Sequence, residues 1–211
     1  MFPCTAKASI FFLVPKLNIL LVLSIPQNSF VLRQGILGQH VFYVALFCAF
    51  SDALLISIGV AGISFFLNNI INQISSLLFG FSALWLSGYG ILRLKAIFKA
   101  DIMVEIESLK SEGLISTLSI AAILTFANPH VYLDTMVLIG SISQQFSGYY
   151  RIAFALGACL SSFVFFFSLA YGAKLLEPIM KRTSSWRILD GLIALIMFII
   201  AFKLASAGNW L

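Results

Sequence analysis

Apolar residues in this chain neither alternate nor return every three or four positions; they run on, interrupted at intervals by short polar connections. Six such runs stand out, at about Ala8 to Val31, Val41 to Leu67, Ile74 to Phe98, Leu114 to Ile139, Ile152 to Tyr171 and Ile188 to Leu204. Each is near the roughly 20 residues with which an α-helix crosses a bilayer. The short alternating segments of a membrane β-barrel are absent from the sequence. The pattern predicts an all-α integral membrane protein with six transmembrane helices.

Composition agrees. Apolar residues make up 61% and charged residues only 10% of the 211, and the mean hydropathy is +1.04. Nothing remains for a soluble domain, because the longest polar connection, "KADIMVEIESLKSEG" from Lys99 to Gly113, is too short to build a core. The chain, 1–211, reads as one transmembrane domain. The first run is too long, and too polar at its end, for a cleaved signal peptide and is expected to stay as a span. Pro15 and Lys16 inside it move the expected start of the helix proper to near Leu17.

Cys4, Cys48 and Cys159 show no C-x-x-C spacing and no nearby His cluster, so no metal site, cofactor or disulfide framework is expected. The net charge of +5 asks for no nucleic-acid partner, since loop Lys and Arg orient a membrane protein. With six spans, Arg33, Lys95, Lys99, Lys110, Lys174, Lys181, Arg182 and Arg187 fall on one side, with Arg93 at its rim. Lys7, Arg151 and Lys203 fall on the other. The excess predicts that the first group, Arg33 included, is cytoplasmic and that both termini are outside.

The chain also looks doubled. "PQNS" (Pro26 to Ser29) is expected to end the first span, and "NPH" (Asn128 to His130) to break the fourth, the same ordinal place in a three-plus-three arrangement. "GFSALW" (Gly80 to Trp85) and "GLIALI" (Gly191 to Ile196) share G-x-x-A-L spacing in the third and sixth spans, which end in Arg93 and Lys203. Three spans per half make the halves antiparallel, so repeat 1 (about 8–98) and repeat 2 (about 114–207), joined by 99–113, are expected to be inverted. Interrupted helices at matching places of inverted repeats point to a transport site near the midplane. A proline removes an N–H and disfavours αR before it, and backbone freed in this way survives in a membrane only inside protein or beside water. Kinking purely for packing is the competing reading.

Asp52, in "SDALLISIGVAG", and Asp134, five residues past Pro129, are carboxylates within apolar runs. Each costs about 2.5–3.5 kcal/mol at a helix centre on insertion scales, so each must face a partner or water. Neither has a basic residue one helical turn away. Binding of a cation or proton, and an ion pair across the bundle, are both open. His130 is placed either to shuttle protons or to cap freed carbonyls. Tyr132 belongs to the same polar cluster, and Ser51 opens a small-residue face with Gly59 and Gly62.

"PQNSFVLRQGI" (Pro26 to Ile36), "SDALLISIGVAG" (Ser51 to Gly62) and "ANPHVYLDTMVLIGS" (Ala127 to Ser141) together resemble the LysE-type exporters of basic amino acids, and N-P-H-V-Y-L-D-T most resembles their arginine-exporting branch. The resemblance runs from Pro26 to Leu204, with Ile25 where the family usually has glycine. It implies a multi-pass efflux carrier of the bacterial cytoplasmic membrane, driven by proton-motive force, and a homodimer. Its intramembrane aspartates match Asp52 and Asp134, and its helix breaks match Pro26, Gln27, Asn28, Asn128 and Pro129. Joined to the residue reading, this predicts that both aspartates accept the guanidinium of L-arginine. Gln27, Asn28, Asn128 and freed backbone N–H groups would hold its carboxylate, and protons would serve as the coupling ion by antiport. Export of lysine, canavanine or another small cation, a channel and a membrane enzyme are the alternatives. An enzyme lacks its nucleophile, haem and metal motifs here.

Overall fold

A computed structural model describes residues 25–98, 113–208 and 210, without the side chains of 62–75, Leu133 and Lys181. Most of the expected first span and the connection at 99–112 lie outside the described residues, as do Cys4, Pro15, Lys16, Lys99 and Lys110. Every regular element described is helical. α1 is Ile25–Leu37, α2 Val41–Ile58, and α3 Ser64–Ile97, with a π-helical turn, π1, at Gly59–Ile63 between the last two. α4 (Leu114–Phe126) is followed by α5 (Pro129–Val131), a second π-helical stretch, π2 (Tyr132–Leu138), and α6 (Ile139–Ser143). α7 is Tyr149–Gly172 and α8 Thr183–Ala207, linked by 3-10 turns at Ala173–Leu176 and Ile179–Lys181.

Four helices are long and apolar enough to cross a membrane: Val41–Ala61, Ser76–Ile97, Tyr149–Leu176 and Thr183–Ala207. A fifth span results if Leu114–Phe126 and Pro129–Ser143, bent by 60° at their break, cross as one. These correspond to the second through sixth runs of the sequence. The second run was drawn too long: its apolar helix ends at Ala61 rather than Leu67, and helix continues through π1 into α3 without a loop.

The "PQNS" stretch corrects the expectation in another way. It does not end a helix; it stands in the first turn of α1, which continues past Val31 to Leu37. A proline is tolerated there because first-turn N–H groups have no intrahelical acceptor to lose. Pro26 and Pro129 therefore both open helices.

Two antiparallel pairs organise the bundle. α2 lies on α7, with the Phe42 and Phe167 rings 5.7 Å apart at one end and the Arg151 guanidinium donating to the Val60 carbonyl at the other. α3 lies on α8, where Trp210 Nε1 donates to the Ser76 carbonyl at 2.7 Å and the Ser76 hydroxyl to the Gly208 carbonyl at 2.6 Å. The opposite end of this pair brings Arg93 to Asp190. α1 packs on α7 so closely that a Cβ on Gly35 would stand 2.2 Å from the Ala170 carbonyl oxygen. Phe30, Val31, Val44, Cys48, Leu124 and Phe166 fill the core among α1, α2, α4 and α7. Leu84, Leu160, Val164 and Phe202 point outward, as lipid-facing positions should.

Candidate functional site

The break in the fourth run is built locally. Asn128 is extended (φ −86°, ψ 108°), as a residue before proline prefers, and its Oδ1 accepts the His130 N–H at 3.1 Å. Pro129 follows at the first helical position. The Phe126 carbonyl, at the end of α4, accepts from the Tyr132 hydroxyl at 2.8 Å. Tyr132 is 37% exposed, so it braces the break from outside and does not enter the interior with the rest of the cluster.

Directly after the break the helix widens into π2. Such bulges cluster at functional sites because they re-aim side chains. Here His130 Nε2 lies 3.0 Å from Asp134 Oδ2. His130 is the basic neighbour, four residues back, that the sequence reading denied to Asp134; counting only Lys and Arg hid it. Asn128, Pro129 and His130 are all buried, and Thr135 is fully so.

A second set of polar groups comes from α1 and α2. Gln27 is fully buried and lies beside the Cys48 thiol. Asp52, one turn further along α2, is buried with Ser51 and lies within electrostatic reach of Cys48 and, on α7, Cys159. Pro26 is buried and Asn28 half-buried on α1. The packing of α1 on α4 and of α2 on π2 brings both sets into one interior. Both amide atoms of Gln27, Nδ2 of Asn128, Nδ1 of His130 and Oγ1 of Thr135 are buried there without a hydrogen-bond partner. Buried polar atoms ordinarily have partners, so this lining suits a polar ligand.

The two carboxylates keep separate neighbours. Gly59, seven residues beyond Asp52, meets π2 so closely that a Cβ would be 2.5 Å from the Met136 carbonyl oxygen. Seven residues of helix are about 10 Å, so Asp52 sits well away along α2 from where α2 touches the segment carrying Asp134. Asp134 is engaged by His130, and Asp52 by neither. Among the described residues no three His, Cys, Asp or Glu side chains converge as a metal site requires.

One charged cluster escaped the sequence reading. Arg33 Nη2 donates to both Asp190 oxygens at 2.7 Å, and Arg93 Nη1 lies 3.8 Å from Oδ1. Arg33 is only 8% and Asp190 1% exposed. The Arg33 guanidinium stands 5.3 Å from the Trp186 ring centroid, and that of Arg93 4.7 Å from the Tyr89 ring. Arg33 had been counted as a loop charge; it is buried because α1 continues to Leu37. Asp190 carried a usable signal, since it lies two residues inside the sixth apolar run, at Ile188 to Leu204.

The LysE type translocator family matches residues 19–208 of the chain. A candidate amino-acid transporter of Aeromonas salmonicida, YggA, is 38% identical over 182 residues, 86% of this chain and 88% of its own. The arginine exporter protein ArgO of Salmonella enteritidis PT4 is 36% identical over 183 residues, 87% of this chain and 86% of its own. A candidate amino-acid transporter of Mycobacterium tuberculosis, Rv0488, is 38% identical over 176 residues, 83% of this chain and 86% of its own. No solved structure matches.

Proposed function

The chain belongs to the LysE-type translocator family, a multi-pass amino-acid exporter of the bacterial cytoplasmic membrane rather than an enzyme, and from that premise we propose that its substrate is L-arginine, exported in exchange for protons. The observation that carries this reading is the pairing of a buried Asp52 with an interior of unpartnered amide groups, beside a His130–Asp134 pair. A guanidinium asks for a carboxylate in fork-like contact, and an α-carboxylate for N–H donors. Asp52 supplies the first. The Gln27 amide, Asn28 and the Asn128 Nδ2 supply the second.

Separate neighbours give the two aspartates separate tasks. Asp52 takes the guanidinium alone, and Asp134, already beside His130, exchanges the proton. This revises the expectation that both grip the substrate at once. A unit positive charge moved outward against a negative-inside potential costs about 2.3 kcal/mol per 100 mV. A proton entering through His130 and Asp134 for each arginine leaving makes the exchange electroneutral. The two halves, 25–98 and 114–207, rock as inverted repeats around this interior, a motion to which the antiparallel α2–α7 and α3–α8 pairs are suited.

Counterflow in proteoliposomes tests the site. Vesicles loaded with unlabelled arginine should accumulate external labelled arginine, and Asp52→Asn should abolish this while remaining inserted. Flux without counterflow would assign a channel instead, and full counterflow by Asp52→Asn would overturn the site.

A further inference from the structure

Arg33, Asp190 and Trp186 form a guanidinium-binding site that the protein fills with its own side chain. Asp190 receives the Arg33 guanidinium through both carboxylate oxygens at 2.7 Å, and Trp186 presents its ring face 5.3 Å away. The ring is held in place by its Nε1, which donates to the Met180 carbonyl at 2.7 Å. A planar fork on a carboxylate, with an aromatic face beside it, is the chemistry by which proteins recognise arginine and not lysine.

The cluster is also unbalanced. Two guanidiniums, Arg33 and Arg93, share one carboxylate, and the Nε of each is buried without a hydrogen-bond partner. One positive charge is therefore in excess where water is scarce, which favours an added anion. A free arginine carries both complements: a guanidinium for Asp190 and a carboxylate for Arg33 and Arg93.

Position makes the cluster an entrance. It joins the last turn of α1, the end of α3 and the first turns of α8, the end of the bundle whose loops carry the positive excess that marks the cytoplasm. Gln27, Cys48 and Asp52 lie deeper, since α1 runs inward from Leu37 to Ile25 and α2 inward from Val41.

We propose that Asp190, Trp186 and Arg93 form a cytoplasmic entry site for guanidinium-bearing amino acids, closed by Arg33 as a tethered stand-in that incoming arginine displaces. This rests on the export reading, and it assigns the selectivity for arginine over lysine to the entrance. Displacing Arg33 frees α1 from α8 and exposes the interior.

Cys48, fully buried beyond the entrance, is the reporter. Inside-out membrane vesicles carry the full chain with Cys4→Ser and Cys159→Ser, and the labelling rate of Cys48 by a membrane-impermeant maleimide is read. Labelling should be slow alone, rise by about tenfold with saturating arginine, a usual size of coupling between sites, and stay slow with lysine. Arg33→Gln should label fast without arginine; it keeps Asp190 partnered, because Arg93 is 3.8 Å away. Asp190→Asn should label fast and ignore arginine, and if it fails to insert, Arg33→Gln carries the test. Wild-type labelling that ignores arginine, lysine acting as well as arginine, or a slow Arg33→Gln would each overturn the entry site. Efflux is measured on the same protein. Arginine efflux with arginine-insensitive labelling sinks the entry site alone. Arginine-sensitive labelling without efflux supports the entry site and sinks the exporter reading.

Discussion

His130 Nε2 stands 3.0 Å from Asp134 Oδ2, immediately after a proline break and at the mouth of a π-helical stretch. One group of this pair titrates near neutral pH and the other is an acid inside an apolar run, so the pair can pass a proton that neither would hold alone. His130→Gln keeps a polar side chain and removes the proton site. Arginine export by this variant should lose its dependence on an imposed pH gradient while counterflow of arginine persists. Counterflow and gradient-driven export falling together would show that His130 holds substrate instead.

Asp52→Asn keeps the shape of the side chain and removes its charge. A hydrogen bond to a charged group contributes about 1.5–3 kcal/mol, so apparent affinity for arginine should fall by roughly ten- to a hundredfold. Isothermal titration of purified protein in detergent measures it. Unchanged affinity would remove Asp52 from the site.

Gly59 tests the contact between the two π-helical stretches. A methyl there would meet the Met136 backbone at 2.5 Å, whereas at Gly88 nothing lies within 4 Å. Gly59→Ala should destabilise by about 1–3 kcal/mol, as overpacking does, and lower the midpoint of thermal unfolding by several degrees. Gly88→Ala, in the interior of α3, should be stable or improved. Equal midpoints for the two variants would deny the close approach.

Tyr132 separates bracing from binding. Tyr132→Phe loses one hydrogen bond to the Phe126 carbonyl, a loss of about 0.5–1.5 kcal/mol in stability. Its KM for arginine should match that of the parent. A raised KM with unchanged stability would return Tyr132 to the substrate site.

Spans two to six were legible because long apolar runs have few alternatives to membrane helix; their ends were not, since π1 carries helix from α2 into α3 across what reads as a boundary. The break at Asn128 was legible because a proline after an amide has strong local consequences. Pro26 was misread for a physical reason: the same residue ends one helix or begins another, and only the helix beyond it decides. Asp52 and Asp134 stood out against Leu and Val, but Arg33 and Asp190 did not. Each lies near the end of an apolar run, where a charge is ordinarily explained by the interface, and their meeting over a sequence separation of 157 residues is a product of packing.

The central claim is proton-coupled export of arginine, and efflux from preloaded cells tests it most directly. Cells with this protein should release labelled arginine faster than cells without it, with little release of a neutral amino acid, and a protonophore should collapse the difference. Equal release with and without the well-inserted protein would contradict export of arginine, and release that survives the protonophore would contradict its coupling to protons.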